Sequence, residues 1–190
     1  MEVLEAIRTR RSVKRVTEES PSKRDVEEVL EAALWAPNHH LTQPWRFHVI
    51  ANDERVKMGE YIAAAIERES RSNGESDAAV AADARNALLR SPVVIAVTVW
   101  GSEDPVVELE DYAAACCAIQ NLTLAAWSKG VVSKWRTGDM CTYRSAKEYL
   151  DVSPEDRIVG FIYLGYPARN AVGEGRRRSH ECIRWVGWDE

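Results

Sequence analysis

The sequence has 190 residues, 45% hydrophobic, 29% charged and 8% aromatic, a folded composition long enough to bury roughly 70% of its unfolded surface as one domain. With 25 Lys and Arg against 30 Asp and Glu the net charge is −5, which argues against a dedicated nucleic-acid binder, since phosphate contacts need a basic surplus. Met1–Ser12 has no apolar signal core, and the longest apolar run, Tyr112–Ile119, is far below the ~20 residues that cross a bilayer, so a cytoplasmic chain without a membrane partner is expected.

In chain order, Val3, Leu4 and Ile7 predict a short amphipathic helix running into the basic segment Arg8–Arg15. Ser22 followed by Asp25 forms a capping box for a second helix, with apolar positions Val26, Val29, Leu30, Ala33 and Leu34, ended by Pro37. Trp45–Ile50 alternates as a half-buried strand, and a helix from about Glu54 to Glu69 follows. After a loop over 72–76 a further helix runs to about Leu89. Pro92–Trp100 is a β-branched run suited to a central strand. Asp111–Lys129 predicts a helix apolar nearly all round, for a core or a dimer interface, closed by Gly130. Val131–Trp135 and Arg157–Gly165 are strands, with a short helix over Ser145–Leu150 between them. The order lacks regular strand–helix–strand alternation, so the expected class is α+β, three layers around one central sheet.

Chemistry is sparse in local motifs. No phosphate-loop, dinucleotide, zinc-protease or nucleophile-elbow pattern occurs. Cys116, Cys117, Cys141 and Cys182 form no Cys-x-x-Cys pair, and Cys116-Cys117 are expected as buried packing. His39 and His40 are adjacent, so on a regular element their rings diverge, and no metal is expected. With no obvious catalytic side chain, a bound cofactor is a candidate carrier of the reaction.

Three stretches stand out. Arg10-Arg11-Ser12, followed by Lys14 and Arg15, offers guanidinium forks and a hydroxyl to a terminal phosphate, or is simply a solvated basic helix end. Ala36-Pro37-Asn38-His39-His40-Leu41-Thr42-Gln43-Pro44-Trp45 holds amide and imidazole groups beside a large ring, suited to a planar heteroaromatic ligand, or is a rigid connection whose Trp45 is core. Trp135-Arg136-Thr137-Gly138 places an aromatic ring, a cation and a hydroxyl at a strand tip. Arg176-Arg177-Arg178 make a second basic cluster, and an acidic stretch lies between the two ends. The two ends are compatible with convergence on one anion and equally with two solvated patches.

In this order and spacing, with Arg157-Ile158-Val159-Gly160-Phe161-Ile162-Tyr163-Leu164-Gly165, the stretches resemble the FMN-dependent nitroreductase family, in particular its short YdjA-like NAD(P)H nitroreductases. The resemblance implies a nitroreductase-like domain over 1–168 with a mostly antiparallel central sheet, a tail over 169–190 packed on the dimer, and an intertwined homodimer with FMN at the subunit interface. It implies hydride passing from NAD(P)H through flavin N5 to nitroaromatic, quinone or similar small-molecule acceptors. An FMN-binding carrier or regulatory dimer without turnover, and a flavin-free interaction dimer, are the alternatives.

By position, Arg10, Arg11 and Ser12 would hold the phosphate and ribityl end. Pro37, Asn38 and His39 would line the ring from the partner chain, and Gln43 would be a further cofactor-binding residue. Trp135, Arg136 and Thr137 would add flavin contacts, Lys14 would be a flavin-tuning cation, and Ala125–Gly130 would lie along the nicotinamide dinucleotide. Arg176 and Arg177 match, to within one residue, a basic pair that reaches phosphate in longer relatives. Leu41 stands where many relatives have Asn, and Asn38-His39-His40 replaces small serines, which implies a narrower pocket.

Overall fold

The computed structural model describes residues 1–73, 77–171, 173, 175 and 182–187. The elements are α1 (Val3–Thr9), α2 (Lys23–Leu34), β1 (Trp45–Ala51), α3 (Glu54–Asn73), α4 (Ala78–Ala87), β2 (Val93–Val99), α5 (Pro105–Ser128), β3 (Val132–Arg136), α6 (Arg144–Tyr149) and β4 (Arg157–Gly165), with short 3-10 turns at His39–Leu41, Leu88–Arg90 and Asp139–Cys141. The strands form one sheet in the order β1-β2-β4-β3, every pair antiparallel.

Strand alternation sorts the core onto two faces. Val93, Ile95, Val97 and Val99 of β2, with Val159, Ile162 and Leu164 of β4, pack beneath α2 and α5. Val94, Ala96, Ile158, Phe161 and Tyr163 pack on the other face beneath α3, α4 and α6. The result is the expected α+β arrangement in three layers. β2 is buried along its whole length and lies inside the sheet, as its β-branched run requires.

The helix ends follow from local chemistry. Ser22 Oγ accepts from the Asp25 N–H at 3.1 Å, which caps α2. α5 begins six residues before the expected Asp111, because the Asp104 carboxylate accepts from Val106 N–H and Pro105 pre-sets the first turn. Its end satisfies two orphan carbonyls: Gly130 N–H donates to Trp127 O at 3.1 Å and Val131 N–H to Ala126 O at 3.0 Å. That closure needs a left-handed residue, and Gly130 supplies φ 76°. α3 runs to Asn73, so helix covers the start of the expected loop.

Some expectations need correction. Cys116 is half-buried against the core, but Cys117 is exposed, because α5 turns Ala114, Ala115, Ala118 and Ile119 inward instead. α1 forms as expected, yet only its Ala6 is buried, and Val3, Leu4 and Ile7 face outward.

Lys129, at the end of α5, ties that helix to α2 through Asp25 Oδ1 at 3.0 Å and Glu28 Oε2 at 2.5 Å. Hydrogen bonds from Ser22 and Lys129 hold the Asp25 carboxyl below its ordinary range, and those from Lys129 and Arg24 do the same for Glu28. Their stabilising contribution is therefore present above the ordinary carboxylate range and is lost as pH falls through the lowered values. Urea midpoints should fall more between pH 7 and pH 3 in the wild type than in Lys129→Met; equal falls would remove the staple from the account.

Candidate functional site

The segment after α1 is the first part of the site. Ser12 bridges in parallel to Ser133 at the start of β3, and Val13 N–H donates to Ser133 O at 3.1 Å. Thr17 N–H then donates to Tyr166 O at 2.8 Å and Ala168 N–H to Arg15 O, which fixes residues 12–17 beside β3 and the end of β4. The stretches Arg10–Ser12 and Trp135–Thr137, distant in sequence, thereby become neighbours.

The alternation of β3 divides the second stretch. Trp135 turns to the α5 face, packs on the core and stands over Gly160, where a Cβ would meet its Nε1 at 2.1 Å. Lys134 and Arg136 turn to the opposite face, with the Arg136 guanidinium 5.6 Å from the centre of the Tyr163 ring.

Two adjoining cavities open there, sharing Arg136 and Tyr163. The smaller, about 310 Å³, is lined by Val13, Lys14, Val16, Arg90, Ser91 and Lys134 together with the shared pair. It brings four cations together, and among the described residues no carboxylate lines it. The larger, about 450 Å³, lies between α4 and the Arg136–Tyr143 stretch, against Phe161. Its wall mixes Val80, Ala84, Ala87, Met140 and Phe161 with Tyr143, Thr137, Asp83 and Asp139. Asp83 is ion-paired with Arg90 across the two. Burial raises the Tyr143 and Tyr163 phenols, so both remain neutral donors at ordinary pH. Burial also pushes the neighbouring Cys141 thiol up to about 11, which makes it an inert packing group.

α4 is held firmly over the larger cavity. Arg85 binds Glu60 and Glu67 of α3, each at 2.9 Å. Beneath it Gly59 admits the Arg85 carbonyl so closely that a Cβ would lie 2.3 Å from that oxygen.

Arg11 behaves as the helix-end reading expects: its Nη1 donates to Arg8 O at 2.8 Å and to Arg10 O at 3.0 Å. Gly173 of the tail rests against the Arg11 stem, where a Cβ would lie 2.1 Å from Arg11 Cβ. Arg176 and Arg177 lie outside the described residues.

The loop from Pro37 to Pro44 is placed elsewhere. His39 Nδ1 is 2.7 Å from Glu110 Oε2, and Thr42 Oγ1 donates to Asp111 Oδ1 at 2.7 Å, so the loop is seated on the first half of α5. Asn38 Oδ1 accepts from Gln43 N–H at 3.0 Å, which folds the loop on itself. His40, Leu41 and Gln43 have φ of 51°, 55° and 43°. This left-handed backbone overturns the expectation for the two histidines: their rings stack, with centroids 3.8 Å apart, because the turn is not regular. Trp45 is 4% exposed and belongs to the core.

Within one chain the two groups are far apart. Trp127 Nε1 donates to Thr9 Oγ1, which puts the Arg10 segment at the far end of α5 from Glu110 and His39. Glu110 and Trp127 are separated by about 25 Å of helix. The sequence reading missed Lys134, Arg90, Tyr143 and Tyr163 as lining residues. The period of two that links Lys134 to Arg136 was the signal available for the first; Arg90 carried none.

An aromatic-walled cavity running into a cationic one, on the face of an antiparallel sheet covered by helices, suits a flat ligand with an anionic end. Residues 7–166 match the model of the nitroreductase family, and the chain belongs to that family. It is 34% identical over 90% of its length, and 91% of the relative's, to the "Putative NAD(P)H nitroreductase YdjA" of Escherichia coli strain K12. Among solved structures it is similar to a nitroreductase-like family protein from Bacillus cereus, with TM-score 0.83, 26% identity and coverage of 99% of this chain and 97% of that one. It is also similar to a nitroreductase with bound FMN from Bacteroides fragilis, with TM-score 0.74, 26% identity and coverage of 98% and 99%.

Proposed function

We propose that the protein is an FMN-dependent oxidoreductase that takes hydride from NAD(P)H and reduces small-molecule acceptors such as quinones and nitroaromatics. The observation that carries this reading is the pair of joined cavities. The donor set fits the cofactor: Lys14, Arg90, Lys134 and Arg136 offer charge to a phosphate or to an anionic ring edge, and the larger space beside Tyr143, Phe161 and Tyr163 suits a planar ring. Arg10 and Ser12, with Arg11 beside them, would hold the phosphate end, and Arg136 and Thr137 would flank the ring. Trp135 would act from behind, by fixing β3 against Gly160. Bound FMN would supply two-electron hydride chemistry; the chain's part is to orient it, exclude water and set its charge environment.

A homodimer belongs to this reading. Pro37, Asn38, His39 and Gln43 sit about a helix length from Arg10 in their own chain, so a second copy would bring them over the ring. Large apolar side chains left outside the core, among them Val3, Leu4, Trp35, Leu41 and Leu109, are candidates for burial between the copies. The domain is then 1–168, with 169–190 as a tail on the dimer.

Anaerobic addition of NADH or NADPH to the purified yellow protein tests the reading. It predicts bleaching of the visible band and recovery of colour on adding a quinone. A bound flavin that neither nucleotide bleaches would favour a carrier.

Lys14 gives a second test. A cation beside the flavin N1 edge favours the anionic reduced state. A charged hydrogen bond of about 1.5–3 kcal/mol corresponds to roughly 30–60 mV for a two-electron couple. Lys14→Ala should lower the midpoint potential by about that amount, and an unchanged redox titration would remove the role.

A further inference from the structure

The loop over Pro37–Pro44 meets α5 in a carboxylate–imidazole pair, Glu110 with His39. A carboxylate oxygen accepts, so at 2.7 Å Glu110 Oε2 pairs with an N–H on His39 Nδ1 and leaves Nε2 as the ring's second polar atom. The ring has two partners, Glu110 and the neighbouring imidazole, and the turn that carries it is anchored as well. His40 stacks on it at 3.8 Å. The His39 carbonyl accepts from Thr42 N–H, and the Thr42 hydroxyl is in turn anchored on buried Asp111, next to Glu110 in the chain. Left-handed backbone at His40, Leu41 and Gln43 persists only where such anchors impose it, and strain of this kind accompanies sites where geometry matters. Glu110 and His40 touch the His39 ring, Asp111 binds the turn through Thr42, and Arg46 donates to the Gln43 carbonyl of the same loop.

We infer that His39, oriented by Glu110, is the proton donor to the electron acceptor in the site that a second copy of the chain completes. The inference rests on the FMN oxidoreductase reading and adds a residue to it. Reduction of a quinone to a hydroquinone consumes one hydride and one proton. Bound FMN, reduced by NAD(P)H, would supply the hydride. The proton leaves His39 Nε2 as the N–H bond breaks and an O–H bond forms on the acceptor, and the neutral imidazole regains a proton from solvent. Glu110 keeps its hydrogen bond to Nδ1 and serves as a positioning residue. A donor of this kind contributes to acceptors that take up a proton and not to those that take electrons alone.

Stopped-flow reoxidation of the NAD(P)H-reduced holoenzyme by benzoquinone and by ferricyanide, which accepts electrons without protons, tests this. In His39→Gln the ratio of the benzoquinone rate to the ferricyanide rate should fall about 100-fold. Added imidazole should restore part of it in His39→Ala, and Glu110→Gln should fall between His39→Gln and the wild type. A ratio in His39→Gln within about twofold of the wild type overturns the inference while leaving the FMN reading intact, and so does an equal slowing with both acceptors, which marks a structural role. A wild-type protein whose flavin NAD(P)H cannot bleach overturns both.

Discussion

Trp45→Ala should destabilise the fold by about 3–5 kcal/mol, the cost of emptying a large aromatic site in a close-packed core. Trp45 is 4% exposed and opens β1, opposite Val99 of β2. Its ring lies in the cluster formed with Val26, Val29, Ala33 and α5. A loss of that size is a large part of the total stability of an ordinary domain, so the variant should unfold at markedly lower urea. The sequence alone leaves Trp45 open between a ligand-facing ring and a core ring, and its place in the packing favours the second. Equilibrium unfolding decides the matter: a loss below about 1 kcal/mol would mean that the ring serves something other than the core.

Arg10→Ala should weaken FMN binding by about 1.5–3 kcal/mol, roughly 10- to 150-fold, if its guanidinium makes a charged hydrogen bond to the phosphate. Arg10 lies at the C-terminal cap of α1, where its own N–H closes the helix on Ala6 O. Its neighbour is differently employed, because Arg11 donates Nη1 to the last carbonyls of the helix. Arg11→Ala should accordingly show a helix-end stability loss together with a smaller fall in affinity. Fluorescence titration of the stripped proteins with FMN measures both. Unchanged affinity in Arg10→Ala would detach the amino-terminal arginines from the cofactor.

Much of the fold was legible because it rests on local rules. β4 runs from Arg157 to Gly165 as its apolar run predicts, and the Ser22 cap and the Gly130 closure stand where residue type alone puts them. The start of α5 was hidden because Glu108, Glu110 and Asp111 break the apolar pattern over its first turns, although Asp104-Pro105 is a good opening signal. The histidine pair defeated a rule that presumes regular backbone, since the left-handed φ of His40 brings adjacent rings together.

The candidate site was legible as three stretches and not as a shape. That Arg10–Ser12 meets β3 depends on a bridge between residues far apart in sequence, and no periodicity announces it. Lys134 follows from the alternation that places Arg136, whereas Arg90 enters through a turn after α4. The bond from His39 to Glu110 spans 71 positions and leaves no local trace. The stretches carried the family; the division of labour within them, Arg11 on the helix and Trp135 in the core, needed the packing.

Sedimentation velocity recorded in the visible flavin band, after FMN is added to the purified chain, tests the composite site most directly. The account predicts a coloured boundary moving at the mass of two chains. Colour that stays behind as free flavin, above a protein boundary at the mass of one chain, would contradict it.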